Sequence, residues 1–515
     1  MFRSAYMSAK IFSATTIGLD SQLIEVEADI GGGQGGLFII VGLPDAAVQE
    51  SKERVWSAIK NSGLDFARAK IVVNLAPADV RKEGPSYDLP IALSLLVAAG
   101  EVRILSEDKN AIFLGELSLD GHLRGVSGVL PIAILAKEKG IQRIFVPEAN
   151  VEEASFVSEV EIMPVKSLAE LTLHLRGEKN IIPYQATPIA QEIQNKVDCG
   201  VDMSFIKGQE QAKRALEIAA AAGHNVLLSG PPGSGKTLLA RAMASILPPL
   251  THDEILEVTK IYSVSGKLSK EKPLILERPF RSPHHTSSGV ALVGGGTFPR
   301  PGEISLAHRG VLFLDEFPEF TRQVLENLRQ PLEDGVVTVS RAQGTVTFPA
   351  RFTLIASQNP CPCGYYSDPD KKCTCSVGQI LKYQKKISGP LLDRIDLHIE
   401  VPRVNFEKLT SDLPTESSTT IRQRVQAARK IQSNRFFDLV ICTNAEMGPK
   451  EIKSFCVVND ATKELLKNAV QQLNLSARGY HRVLKTARTI ADLAGVENIQ
   501  INHVAEALQY RTKIE

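Results

Sequence analysis

No apolar run in this 515-residue chain reaches the ~18 residues needed to cross a bilayer as a helix. The opening 20 residues also lack the uninterrupted apolar core of a secretory signal, and Met7 serves as well as Met1 for a start. The expectation is a cytoplasmic protein with no membrane partner. A dominant charge is missing too, since 59 Lys and Arg face 58 Asp and Glu for a formal net charge of +1. That balance neither announces nor excludes a polyanion partner, because a nucleic-acid channel can be locally basic inside a neutral protein. Cysteine is scarce, and its distribution argues against a disulfide framework: four of the seven crowd into fifteen residues, as in a reducing compartment. Cys199, Cys442 and Cys456 look incidental. With 43% hydrophobic and 23% charged residues, what remains is an ordinary globular composition. The length suits about three domains at ~150 residues each.

The strongest local pattern is Gly230, Pro231, Pro232, Gly233, Ser234, Gly235, Lys236 and Thr237, a match to G-x-x-x-x-G-K-[ST]. The apolar run from Asn225 to Ser229 precedes it and a helix-forming run from Leu238 to Leu247 follows, so a strand feeds a loop that feeds a helix. Glycines let backbone N–H groups turn inward around nucleotide phosphates, and the helix N-terminus adds partial positive charge. Lys236 would reach the β and γ phosphates, and Thr237 would offer a hydroxyl to Mg²⁺. The expected ligands are therefore ATP and Mg²⁺.

Upstream, Leu23 to Ile30 has the period of two of a half-buried strand, Phe38 to Val41 reads as a buried strand, and Ala46 to Ser62 as an amphipathic helix closed by Gly63. Lys70 to Asn74 starts another strand. The phrases Lys82-Glu-Gly-Pro-Ser86-Tyr-Asp-Leu-Pro-Ile, Leu114 to Ile132 and Gly140 to Pro147 resemble the proteolytic domain of the Lon family over roughly residues 20 to 155. In that family a serine matching Ser86 is activated by a lysine in the helix after a Leu-Pro-Ile phrase. Counting from Leu130 puts Ala136 at the lysine position, with Lys137 and Lys139 off register by ~100 to 200° of helix rotation. The resemblance therefore implies a Lon-like fold kept as a structural or assembly module.

A linker from 176 to 203, marked by Pro183 and Pro188, leads to an Ala-rich helical stretch from Ile206 to Ala222 and then to the phosphate loop. Further on, Gly310 to Leu314 is an apolar strand ending in Asp315, suited to the Mg²⁺ shell, and Glu316, suited to polarising an attacking water. Phe352 to Gln358 is another buried strand, ending in Asn359, which can hold that water or the γ phosphate. This order resembles AAA+ ATPases. The phrase Leu391-Leu-Asp-Arg394-Ile-Asp is similar to one in their magnesium-chelatase and replicative-helicase branch. By that resemblance Arg394 is an arginine finger offered to a neighbouring subunit's nucleotide. After a second linker, 403 to 421, the helical lid carries a stretch from Leu475 to Ala494 that resembles the family's second sensor helix. That likeness implies a phosphate contact in cis for Arg478, with Arg482 one turn along as runner-up.

Two insertions interrupt the ATPase pattern. Residues 263 to 305 hold Arg278-Pro-Phe-Arg281-Ser-Pro-His284-His285 and Gly294 to Gly296, and read as a mobile loop rather than a packed element. Val336 to Ser340 and Thr345 to Phe348 alternate as a hairpin with Arg341 to Gly344 at the turn. In the chelatase and helicase branch such a hairpin points into a ring's pore, which would put Arg341 on a DNA phosphate backbone. On residue chemistry alone a tip arginine is as readily just solvated. Arg281, His284 and His285 join it as candidate DNA contacts. Cys361, Cys363, Cys373 and Cys375 form two C-x-C pairs that suit one tetrahedral Zn²⁺, tighter than the usual C-x₂₋₄-C, with free thiols the alternative.

From end to end the chain resembles the bacterial ComM/YifB family of magnesium-chelatase-like proteins. The resemblance implies an α/β architecture: a Lon-protease-like α+β domain over 1–175, an AAA+ phosphate-loop core with a parallel sheet over 204–402, and a helical lid over 422–515. It also implies a homohexameric ring that hydrolyses ATP and drives DNA branch migration in recombination during natural transformation. Two other functions share parts of the pattern: the motor subunit of a metal chelatase, and a Lon-type ATP-dependent protease.

Overall fold

The computed structural model describes residues 9–31, 37–64, 70–185, 201–296, 299–341, 344–366, 368, 370–404 and 415–511. They fall into two compact units, one of residues 1–189 with 255–275, the other of 190–254 with 276–515.

The first unit is built on a seven-stranded mixed sheet. Its centre is the antiparallel pair Ala9–Ile17 and Asp20–Gly31, and the latter also pairs antiparallel with Lys70–Ala76. The alternation expected between Leu23 and Ile30 is present: Ile24, Val26, Ala28 and Ile30 are buried. Helix Ala46–Asn61 begins where Asp45 Oδ1 accepts a hydrogen bond from the Val48 amide at 2.8 Å, and ends before Gly63, whose φ of 74° suits glycine. Helix Asp88–Ala98 is apolar on every face and correspondingly enclosed, with Leu89, Ile91, Leu93, Leu95 and Leu96 fully buried. Asp88, at its start, is buried too and takes two hydrogen bonds from Arg54, at 2.7 and 3.0 Å, which tie the two helices together. Burial pushes its carboxyl up to about 6 against the pull of Arg54. Within the same unit, buried Glu153 accepts hydrogen bonds from the Leu130 amide, Asn150 and Ser263, and so fastens the 255–275 segment.

The second unit carries a five-stranded sheet in which every neighbouring pair is parallel. Across it the strands run Leu397–Glu400, Val226–Ser229, Thr353–Gln358, Val311–Leu314 and Phe280–Arg281, or 5-1-4-3-2 in chain order. Such strands are covered on both faces and read as near-continuous apolar runs, as these do. Helices Glu210–Ala222 and Lys236–Ile246 flank the sheet. The first starts after Gln209, whose φ of 60° breaks the expected run from Ile206.

The lid does not stand apart from this unit. Helices Ser418–Arg435 and Ala477–Leu493 pack on Glu210–Ala222, so that Ile421, Val425, Val483, Ala487 and Ile490 share one core with the sheet residues Val226, Phe313 and Ile355. Buried polar contacts reinforce the join: Ser418 Oγ accepts from the Met203 amide at 2.8 Å, and Gln432 donates to the Ala221 carbonyl at 3.0 Å. The linker positions 186–200 and 405–414 lie outside the described residues.

The first insertion departs from the expected mobile loop. Its 263–275 portion belongs to the first unit, while Phe280–Arg281 is the edge strand of the second sheet and Gly289–Val293 is a short helix. The physical reason is buried charge. Arg278 meets Glu254 at 2.7 Å and donates to the Arg309 carbonyl at 2.6 Å, and a buried guanidinium so enclosed fixes its backbone. Among the described residues no helix is long and apolar enough to cross a membrane.

Candidate nucleotide site and arginine cleft

Parallel strands bring their carboxyl ends to one edge of the sheet, and sequence neighbours of three strands meet there. The pairing of Ser229 with Gln358 sets Gly230 beside Asn359, and that of Leu314 with Ala356 sets Asp315 beside Ser357. Gly230 must be glycine, because a Cβ there would lie 2.2 Å from the Val401 carbonyl oxygen. The Lys236 amine donates to the Gly230 carbonyl at 2.7 Å, the Pro231 carbonyl at 2.9 Å and Asn359 Oδ1 at 3.2 Å. Burial holds its pKa below the usual lysine value, with Asp315 pulling the other way. Thr237 Oγ1 donates to Asp315 Oδ2 at 2.9 Å, and the other carboxylate oxygen accepts from Ser357. The hydroxyl and carboxylate oxygens of Thr237 and Asp315 form the hard donor set that Mg²⁺ takes.

Glu316 follows in a left-handed conformation, φ 52°, a state that costs a non-glycine residue ~1–3 kcal/mol and clusters at active sites. Its carboxylate lies 3.2 Å from His285 Nδ1. The sequence offered His284 and His285 to DNA. Here the two rings lie tilted by 33° with centroids 4.1 Å apart, His284 bonds Thr286 at 2.8 Å, and His285 faces Glu316. Arg281, also offered to DNA, is engaged by Glu303 at 2.6 and 2.8 Å in a bidentate pair that leaves its guanidinium little reach. In this structure all three side chains have partners within the second unit. The hairpin is present as Val336–Arg341 and Gly344–Pro349, but the Arg341 side chain lies outside the described residues.

The arginines collect at the opposite, amino edge of the sheet. A cleft of about 580 Å³ is lined there by Asn225, Glu333, Arg394, Asp396, Arg478 and Arg482, and no described residue of the phosphate loop lines it. Arg394 is buried, donates to the Pro390 carbonyl at 2.7 Å and pairs with Glu333, while its Nε has no hydrogen-bond partner. Arg478 donates to the other Glu333 oxygen at 2.9 Å. The two arginines hold the Glu333 carboxyl below the usual glutamate range, Arg394 first. Arg478, which the resemblance assigns to its own subunit's phosphates, lies here at the edge of the sheet opposite the phosphate loop. Arg482 is engaged elsewhere, by Asp396, which also accepts from the Asn225 amide at 2.9 Å. Although burial raises it, Arg482 and His224 hold the Asp396 carboxyl far below the ordinary range.

Ser357, Glu333 and the pairing of His285 with Glu316 escaped the sequence reading. Only the strand register places Ser357 level with Asp315. Nothing in the Leu332-Glu-Asp-Gly phrase marks Glu333.

The four cysteine sulfurs lie within 4.8 Å of one another, next to Asn359 in the chain. In the first unit, no base among the described residues is hydrogen-bonded to the Ser86 hydroxyl. Ala136 is buried, Lys137 pairs with Glu159 at 3.3 Å, and the Lys82 amine donates to the Pro77 carbonyl.

Three family models match in succession: subunit ChlI of magnesium chelatase over residues 26–150, the main magnesium-chelatase ChlI model over 202–409, and the ChlI C-terminal model over 415–511. The chain is 43% identical over 515 residues to the competence protein ComM of Haemophilus influenzae, covering 98% of each. It belongs to the ComM/YifB family of magnesium-chelatase-like AAA+ ATPases. A further member, the uncharacterized protein YifB of Salmonella typhimurium, is 42% identical over 504 residues, 98% of this chain and 97% of the relative. Lon protease of the Aster yellows witches'-broom phytoplasma is 29% identical over 161 residues, 29% of this chain and 20% of that protein. Membership in ComM/YifB implies ATP and Mg²⁺ as ligands, and the residues gathered around Lys236 fit both.

Proposed function

We propose that this protein is an ATP-driven, ring-shaped DNA motor of the helicase or branch-migration type, acting in recombination during natural transformation. The observation that carries the reading is the division of the ATPase parts between the two edges of one sheet. Phosphate loop, Asp315, Glu316 and Asn359 lie at one edge, Arg394 and Arg478 at the other, so each subunit is complete only against a neighbour. The unpartnered Nε of Arg394 supports this, since a buried donor without an acceptor costs about 1–3 kcal/mol unless an acceptor arrives from outside the chain. A homohexamer closes such a head-to-tail contact.

In the reaction, Lys236 gives up its loop carbonyls for the β and γ phosphate oxygens, and Glu316 takes the proton of the attacking water. Thr237 and Asp315 would hold Mg²⁺, which supplies positive charge to the phosphates. Asn359 orients the γ phosphate or the water. Arg394, with Arg478 beside it, stabilises transition-state charge on the neighbour's nucleotide. The hairpin 336–349, with Arg341 at its tip, follows the DNA backbone in the pore. Cys361, Cys363, Cys373 and Cys375 take a zinc ion.

The relative named competence protein ComM supports a role in natural transformation, while the ChlI models support a second reading, the motor subunit of a metal chelatase. One experiment separates the two. ATP turnover is measured with and without forked or three-strand DNA at rising salt. The DNA motor is expected to show stimulation that fades steeply as salt releases the phosphate contacts. A hexamer indifferent to DNA would overturn it in favour of the chelatase motor.

A further inference from the structure

The cysteine group is built onto the nucleotide site. Four sulfurs held ~2.3 Å from a tetrahedral zinc lie ~3.8 Å apart. Here Cys361 and Cys363 are separated by 3.4 Å, Cys361 and Cys373 by 3.7 Å, and Cys363 and Cys373 by 3.6 Å, with all four as free thiols. Backbone amides already point at the sulfurs: Tyr366 N to Cys361 at 3.3 Å, Cys363 N to Cys375 at 3.4 Å and Cys375 N to Cys373 at 3.4 Å. Such donors orient thiolates and ease their negative charge. Around the loop, Arg403 and Lys371 lie 5.5 and 5.1 Å from the centre of the Tyr365 ring, and Arg403 meets Asp368 at 3.2 Å.

Inside this knot the backbone turns at Gly364, φ 84°, and presses against the phosphate loop. A Cβ at Gly364 would stand 2.6 Å from Pro232 Cδ and 3.8 Å from Asn359 Cγ. Cys361 is fully buried two residues after Asn359, whose side chain holds the Lys236 amine. One short segment thus touches the loop that cradles phosphate and carries the amide that faces it. A stretch with four thiols and little apolar surface has no core of its own to hold that shape, and a metal supplies the missing cross-link.

We propose that the zinc-loaded knot is the buttress of the phosphate loop, setting the positions of Pro232 and Asn359 so that nucleotide affinity depends on the bound metal. The inference rests on the reading that the cysteines hold zinc. It adds that loss of the metal weakens nucleotide binding at a site none of whose phosphate ligands has changed.

The test uses the full-length protein, with zinc measured by elemental analysis and Mg²⁺-nucleotide affinity by a fluorescent ATP analogue. The wild type is expected to carry zinc stoichiometric with the chain. In Cys373→Ser/Cys375→Ser, zinc is lost and analogue affinity falls about tenfold, within the 5- to 150-fold range usual for coupled sites. Gly364→Ala leaves every thiol in place and drives a methyl group onto Pro232, so it is expected to keep zinc and still lose affinity. That variant also decides the matter should the double variant fail to fold. Wild-type protein without zinc, or with iron in its place, would overturn the zinc reading itself. Zinc present in the wild type, with affinity unchanged in Gly364→Ala and in the zinc-free double variant, would overturn the buttress and leave the zinc site standing.

Discussion

The two edges of the ATPase sheet handle charge in opposite ways. At the carboxyl edge a lysine, a threonine, an aspartate and an asparagine bond to one another and to loop carbonyls, and each bond is one that a phosphate or a metal can replace. At the amino edge two arginines close on a single carboxylate, Glu333, and a third is held by Asp396. On the proposed function the first edge receives charge and the second donates it. Neither can do both, because strands four to six residues long keep the edges apart.

The largest expected effect comes from removing the donor alone. Arg394→Ala should lower ATP turnover about 10³-fold or more while analogue binding persists, as for arginine fingers elsewhere. Mixing it with Lys236→Ala should restore part of the rate, since some interfaces then pair an intact loop with an intact finger. A mixture as inactive as its components would break the division of labour between the edges. Next is Glu316→Gln, expected to cost about 10²–10⁴-fold in turnover with nucleotide still bound, the usual worth of a general base. A much smaller loss, read in single-turnover assays, would move the base elsewhere.

Glu333→Gln sharpens the comparison from the other side. Glu333 is half exposed, and such pairs are worth about 0.2–1 kcal/mol. Releasing both arginines should therefore raise turnover up to about fivefold at low protein concentration, where assembly is limiting. A fall instead would make Glu333 the residue that aims them. The smallest effect concerns the strand beside the phosphate loop. Burial, with Arg511 close by, pushes the half-buried His398 down to about 4. The unfolded imidazole titrates near ~6.5, so between these values the unfolded state holds the proton and the folded state does not. Stability at this residue is full above ~6.5 and is lost as pH falls toward 4. In urea melts from pH 7 to 4.5, His398→Gln should flatten that decline relative to wild type.

The local elements were legible because each is a short-range pattern. The apolar strand before Gly230, the glycines, Lys236 and Thr237, and the carboxylates after Leu314 follow one another in the chain, and parallel pairing then needs only register to assemble them. In the structure that register brings Gly230 beside Asn359 and Asp315 beside Ser357. The Lon-like module was legible for the same reason. The alternation of Leu23 to Ile30 likewise named its own buried face.

What the chain order could not say was which charge meets which. Arg281, His284 and His285 look free in one dimension and are engaged by Glu303, Thr286 and Glu316 in three. Arg478 sits on the expected helix, but the packing of that helix against the sheet, not its sequence, carries the side chain to Glu333 and away from its own phosphate loop. Charges act through space over a few ångströms, and the ion pairs of Arg281 and Arg478 join residues 22 and 145 apart in the chain. Sequence determined the chemistry each element brings. Tertiary structure alone decided how those charges pair.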